Sequence, residues 1–432
     1  MNRKSPVLFL IAVATTFCFF SGCRDKENKI AVDGYTTHLT FVPGEESKII
    51  EAFLSAKDSS SIELKAGTYK FDNLSLAQLK HILLKGEGHD KTILDFSSQT
   101  QGGEGIRITG LKGFTIDGMT LRDSKGDLIK ITNSEDVIIS NLHAIWQKAG
   151  DSSNGGYAIY PVLCKKVLVE NSYAEGASDA GIYIGQSKGA IVRNCKARKN
   201  VAGCEIENTS DAEVYNNEFY ENTAGFLVFD LSGLSQRGGH VKAYNNDFHD
   251  NNEKNFAKAG SFGTISGVGN ASPGSGVIVL AASDVEIYNN RIIGNNTCAV
   301  AIASGLATDD KALEKINDTY FPFPRNIRIH DNTLEMGEKF PASAYDHHIG
   351  KLFVGIEQML NMQDPGRKNK RIPLILYDGI TTNILTKGMN PNPDSICIRQ
   401  TGDNVFVNGD LINIANPKKW HPGTQMTAYL CQ

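Results

Sequence analysis

The chain has 432 residues, 41% apolar and 21% charged, with 42 glycines against 13 prolines, which excludes a disordered chain and a multi-span membrane protein. Its 44 basic and 48 acidic residues leave a net charge of -4, without the basic surplus that a phosphate backbone demands, so nucleic acid is not an expected partner. The glycine excess warns against dividing the length into several domains, because repeat architectures lengthen without splitting.

Asn2, Arg3 and Lys4 precede an apolar run from Val7 to Phe20, the length of a signal-peptide core and too short for a membrane span. The run ends in Phe20-Ser21-Gly22-Cys23, which has the form of a bacterial lipoprotein processing site. The expectation is a signal over 1–22, a lipid on Cys23, a polar tether over 23–34, and a membrane-anchored place in the bacterial cell envelope, periplasmic or at the cell surface. An ordinary secretory signal cut nearby, with Cys23 a bystander, is the alternative. Export places Cys164, Cys195, Cys204, Cys298, Cys397 and Cys431 in a disulfide-permissive compartment. Cys397 with Cys431 is the expected pair, because a tie near the end would stop the terminus fraying. No Cys-x-x-Cys-His or Cys-x-x-Cys arrangement occurs, so neither a metal nor another cofactor is expected.

Glu45 to Ala56 reads as a helix with Ile49, Ile50, Phe53 and Leu54 on one face, and Ser61-Ile62-Glu63-Leu64 as a first strand. A self-similar series then begins. Ala190-Ile191-Val192-Arg193-Asn194-Cys195 returns 22 residues later as Ala212-Glu213-Val214-Tyr215-Asn216-Asn217, and again around Asn245, Asn289 and Asp331. A glycine ladder, including Gly105, Gly181, Gly203 and Gly276, precedes it by thirteen residues. Short strands of alternating apolarity, separated by Gly, Asn, Asp and Ser turns, cannot bury their apolar faces within one coil. Stacked, they bury a continuous one. The expected fold is all-β, a right-handed parallel β-helix over 35–340 with the helix as its N-terminal cap. Leucine-rich repeats share the period but need a leucine consensus that this chain lacks. The ladder is expected to stop near residue 340, leaving 341–432 as strands and loops that cap the last coil or lie along its side.

Alternation assigns the faces of the strand that opens each coil. Ile182, Ile184, Cys204, Ile206, Phe226, Val228, Val277 and Val279 point inward. Outward, one column runs Arg107, Lys130, Tyr160, Tyr183, Glu205, Leu227, Ile278, and a second runs Thr109, Thr132, Val162, Gly185, Glu207, Phe229, Leu280. As a ligand groove, Tyr160 and Tyr183 would be platforms for sugar rings, and Arg107 and Lys130 would meet anionic groups. Glu205 and Glu207, with Asp179 within reach, would be candidates for proton transfer. A solvated strand face is the alternative. Leu227, Phe229, Ile278 and Leu280 form an apolar patch to be covered by the glycine-rich insertion from Asn252 to Ser275, by the C-terminal region, or by a protein partner.

Gly156-Tyr157-Ala158-Ile159-Tyr160-Pro161 and Ser178-Asp179-Ala180-Gly181-Ile182-Tyr183 resemble the parallel β-helix repeats of carbohydrate-binding proteins and sugar hydrolases, including mannuronan C5-epimerases. With its lipoprotein start, the chain is similar to an envelope lipoprotein family known as parallel β-helix repeat-containing proteins. That likeness implies an exported, cytochrome-like protein as a partner. Epimerases carry a Tyr-Gly-Phe-Asp-Pro-His-Glu run. The matching residues here are Tyr157-Ala158-Ile159-Tyr160-Pro161-Val162-Leu163, with Tyr160 in place of the aspartate and Val162 in place of the histidine. A further catalytic aspartate falls on Gly185. Valine and glycine exchange no proton, so epimerase chemistry is not expected, and only Tyr157 retains a role. Two functions follow: recognition of an acidic or neutral polysaccharide, with any catalysis of the lyase or glycoside hydrolase kind, or a non-catalytic scaffold that docks an exported protein.

Overall fold

The computed structural model describes residues 34–258, 267–367, 370–402, 404–416 and 418–431. The signal, Cys23 and the tether up to residue 33 lie outside them. The rest winds as a right-handed parallel β-helix with three strands to a regular coil. In one such coil Ala180–Gly185 is followed by Lys188–Arg193 and Lys196–Arg198, and Ala202–Glu207 opens the next. The opening strands form a narrow sheet of 11 strands among the described residues. The other two ladders, on either side of the asparagine turn, make up a wide sheet of 20.

The turn between those two ladders explains the repeated asparagines, which divide two tasks between adjacent residues. Asn141, Asn171, Asn194, Asn216, Asn245, Asn289 and Asp331 all take a left-handed backbone, with φ between 49° and 56°. The residue after each points inward. There the Asn217 amide donates to Asn246 Oδ1 at 2.9 Å, Asn246 to Asn290 at 2.9 Å and Asn290 to Asn332 at 3.0 Å. A second buried ladder, Asn200 to Asn222 to Asn251 to Asn295, stands at the corner before the narrow sheet. This second ladder accounts for the glycines. A Cβ on Gly225 would lie 2.8 Å from Asn251 Nδ2 and 2.6 Å from the Gly276 carbonyl oxygen. Glycine is required there for space, since its φ is not left-handed.

The inward residues of the opening strands are all buried and join one continuous core with Val192, Val214, Phe219 and Phe248 of the wide sheet. Phe219 and Phe226 stack on Phe248 at 5.7 and 5.6 Å. Each such side chain contributes about 2 kcal/mol by leaving water.

Both ends differ from expectation in detail. Helix α1 (Glu46–Leu54) caps the first coil through Ile49, Ala52 and Phe53, an i, i+3, i+4 set, while Ile50 and Leu54 face solvent. An edge strand, Thr37–Phe41, precedes it and pairs with Ser60–Leu64. At the other end the ladders do not stop near 340. Ile375–Tyr377 and Phe406–Asn408 extend the narrow sheet, and Cys397–Arg399 the wide one. Between them α2 (His348–Gln363) packs Phe353, Ile356 and Leu360 against Leu376 and Ile372. Long connections hid these rungs, because no fixed period links them to the coils before.

Cys397 and Cys431 are joined, as expected; Cys164, Cys195, Cys204 and Cys298 are free and buried. The bond ties Leu430 beside Ile398, its bridge partner. Cys397→Ser removes a 34-residue loop constraint worth about 3 kcal/mol. It is expected to speed amide hydrogen exchange at Ile398 without changing it in the strand Ser210–Tyr215. Equal protection of Ile398 in both proteins would contradict this.

Candidate functional site on the narrow sheet

The two outward columns read from the sequence are neighbours in space. Register pairs join Arg107 to Lys130, Lys130 to Tyr160, Tyr183 to Glu205, Glu205 to Leu227 and Leu227 to Ile278. Val162 pairs with Gly185, Gly185 with Glu207, Glu207 with Phe229 and Phe229 with Leu280. What differs is what the chain lays over them.

The apolar patch is covered from within. Leu227 is 0% exposed, Phe229 3% and Leu280 4%, packed with Val268 and Ala271 of the insertion and with Ala312 and Tyr320 of the segment after Ala303. Ile278 is half-buried and borders a cavity of about 60 Å³ that Leu352 and Phe353 of α2 also line. The expected covering by the insertion and the C-terminal region is therefore present. Docking of a protein partner on this patch is not supported, because Leu227, Phe229 and Leu280 are core and Ile278 is half-covered.

At the basic end, the anionic group that meets Arg107 and Lys130 is the chain's own Glu104. It accepts from Arg107 Nε at 3.0 Å and from Nη2, and it lies 3.9 Å from Lys130 Nζ. Lys130 also sits 4.7 Å above the Tyr160 ring. These two cations are thus committed within the chain.

Between these ends lies a cluster of three rings. Tyr157 is 4.3 Å from Tyr160 and 4.6 Å from Tyr183, and Tyr160 meets Tyr183 edge-on at 4.9 Å. Tyr183 is not an open platform. It is buried, and its hydroxyl donates to Glu207 Oε1 at 2.6 Å. Tyr160 keeps part of its surface in solvent, as do Glu207 and Asp127.

Burial favours the neutral form of the acids around these rings, to different degrees. Burial pushes Asp179 and Glu205 well above the carboxyl range, and the neighbouring Glu207 charge pushes further on both. Burial also raises Glu207, against the stabilising Tyr183 hydroxyl. Asp127 rises through burial to about 6 although the Tyr157 backbone N–H donates to it at 3.1 Å. Asp230, next to Phe229, rises to about 7 for the same reason. Glu205 and Glu207 are neighbouring carboxyls, and each acts on the titration of the other. Asp179 retains one carboxyl oxygen, Oδ1, that is buried with no hydrogen-bond partner, while the Tyr157 hydroxyl lies against the group.

Asp127, Asp230 and Glu104 were not singled out from sequence. Asp127 and Glu104 are register partners at the start of successive strands, so reading the column one position before the glycine ladder would have found them. A second aromatic column, Tyr215, Tyr244, Tyr288 and His330, stacks on the wide sheet at 5.0, 5.1 and 5.3 Å. Its rings lie nearly parallel and spend their faces on one another.

Residues 104–262 match the family model described as "Right handed beta helix region". No curated protein matches the chain. Among solved structures it is similar to an Azotobacter vinelandii mannuronan C-5 epimerase A-module (17% identity, 72% of this chain and 88% of that one, TM-score 0.42). It is also similar to a hyperthermoactive exopolygalacturonase from Thermotoga maritima (12% identity, 70% and 88%, TM-score 0.45) and to pectate lyase Pel9A (14% identity, 72% and 74%, TM-score 0.38). The family match covers coils in the middle of the stack, and the chain is by its fold a right-handed parallel β-helix.

Proposed function

We propose that the protein is a saccharide-binding β-helix of the cell envelope, tethered by a lipid on Cys23, and that its ligand sits on the narrow sheet at Tyr160, Asp127 and Glu207. The supporting observation is the three-tyrosine cluster ringed by carboxyls, which reaches solvent at those three residues and is closed elsewhere. A pyranose offers C–H faces to a ring and hydroxyls to carboxyl oxygens, and this cluster presents both within one strand width. The aromatic column of the wide sheet keeps its ring faces to itself.

Tyr160→Ala is expected to weaken oligosaccharide binding about tenfold, the loss of one ring contact. Tyr215→Ala, in the other column, leaves binding unchanged. Calorimetric titration against oligosaccharides selected on a glycan array measures both. Equal affinity of Tyr160→Ala and the parent protein would reject the site, and no binding to any glycan would reject the function.

A further inference from the structure

We infer that the saccharide recognised here is cationic, a chain of hexosamine units with free amino groups whose ammonium is seated among Asp127, Asp179 and Glu207. This rests on the saccharide reading above and adds the charge of the ligand. Three observations carry it.

First, the site collects acids without cations. Glu207 accepts from the Tyr183 hydroxyl, Asp127 from the Tyr157 backbone, Glu205 is the register partner of Tyr183, and Asp179 lies against the Tyr157 hydroxyl, so all four border the three rings. Among the described residues none of the four forms an ion pair, and the nearest cation, Lys130, lies over the Tyr160 ring with Glu104 on its other side. Arg237 acts on Asp230.

Second, Asp179 is 5% exposed and holds an oxygen with no partner. A buried acceptor left open inside a cluster of acids lacks a donor, and an ammonium supplies three. The other acids have partners: Glu207 accepts from Tyr183, and Asp127 from the Tyr157 backbone.

Third, the rings favour an ammonium over a bare metal ion. Three tyrosine rings lie within 5 Å of one another beside the acids, and an organic cation is attracted to the solvent-reaching ring, Tyr160, while its sugar ring packs against it. A uronate chain has no free cation to meet at these acids, since Arg107 and Lys130 are held by Glu104.

The test is calorimetric titration of the full mature chain, in the presence of EDTA, with three hexasaccharides: a β-1,4-glucosamine oligomer, its fully N-acetylated form and a polygalacturonate oligomer. The glucosamine oligomer is expected to bind at least about tenfold more tightly than the N-acetylated one, as a lost charge-assisted hydrogen-bond set predicts, and the polygalacturonate to show no heat. Asp179→Asn and Glu207→Gln are each expected to reduce that preference below about threefold, with folding checked by circular dichroism. Asp127→Asn replaces either if it fails to fold.

Equal binding of the amino and N-acetylated oligomers would overturn the inference while leaving the saccharide reading intact, as would tighter binding of the uronate. Oligolysine competing as well as the glucosamine oligomer would overturn it by showing a general cation site. Calcium, titrated without EDTA, displacing the oligomer would do so in favour of a metal. A preference untouched by every variant would place the charge elsewhere. Binding of none of the three would count against the saccharide reading itself.

Discussion

Asn246→Ala is expected to lower the unfolding free energy by about 3–5 kcal/mol, whereas Asn245→Gly, one residue earlier, changes it by less than about 1 kcal/mol. Asn246 Oδ1 accepts from both the backbone N–H and the side-chain amide of Asn217, and its own amide donates to Asn290 Oδ1 and to the Val214 carbonyl. Alanine would leave two donors on Asn217 and an acceptor on Val214 unpaired in a dry interior. Each buried orphan costs about 1–3 kcal/mol, and the volume vacated adds to that. Asn245 is exposed and serves the turn by its left-handed backbone, φ 55°, which glycine adopts freely. Urea unfolding of the two variants separates the roles. Equal midpoints would show that the inward ladder adds nothing beyond the turn.

The second large effect concerns pH. Resistance to urea is expected to rise as the solution is acidified from pH 8 to about pH 5, the reverse of ordinary acid denaturation. Asp127 and Asp378 titrate at about 6 in the native state and Asp230 at about 7, all raised chiefly by burial, and burial also raises Asp179 and Glu205 well above the carboxyl range. In the unfolded chain such carboxyls titrate near 4. Between those values the native state binds more protons than the unfolded one, so stability falls as pH rises through the window. Asp230 alone would contribute on the order of 2 kcal/mol across it. Below pH 4 the trend turns, because Glu218, held low by Lys196, and Asp331, held low by His330, lose what their ionised forms add. Glu205→Gln removes one of the raised acids and should flatten the profile. A midpoint that is constant from pH 5 to 8 would show that these acids do not titrate as placed.

The coil, its period and both faces of the opening strand were legible because they depend on local rules. Alternation fixed Ile182 against Tyr183, and the 22-residue shift fixed Tyr183 beside Glu205. The landing place of inserted segments follows no local rule. Nothing in the residues around Val268 or Tyr320 says that they close over Leu227, so the covering of the apolar patch was expected without its exact source, and exposure was misread for Tyr183. The pairing of Arg107 and Lys130 with Glu104 was missed for a related reason. Simple alternation turns Glu104 inward, yet its carboxylate meets the outward Arg107 and Lys130.

The fixed two-residue turn has a consequence for how such a chain can vary. Arg193 to Lys196, Tyr215 to Glu218, Tyr244 to Asp247, Tyr288 to Arg291 and His330 to Thr333 are all joined by two residues. Every long connection among the middle coils instead leaves from one end or the other of a narrow-sheet strand, at 230–238, 250–274 and 304–324. The buried asparagines bridge partners 22, 29, 42 or 44 residues apart with the same bond, so the frame is indifferent to what is spliced between rungs. One edge of the stack acts as a spine and the other as a mounting rail. Segments could be exchanged along that rail to reshape the binding surface while the spine continues to fold the chain.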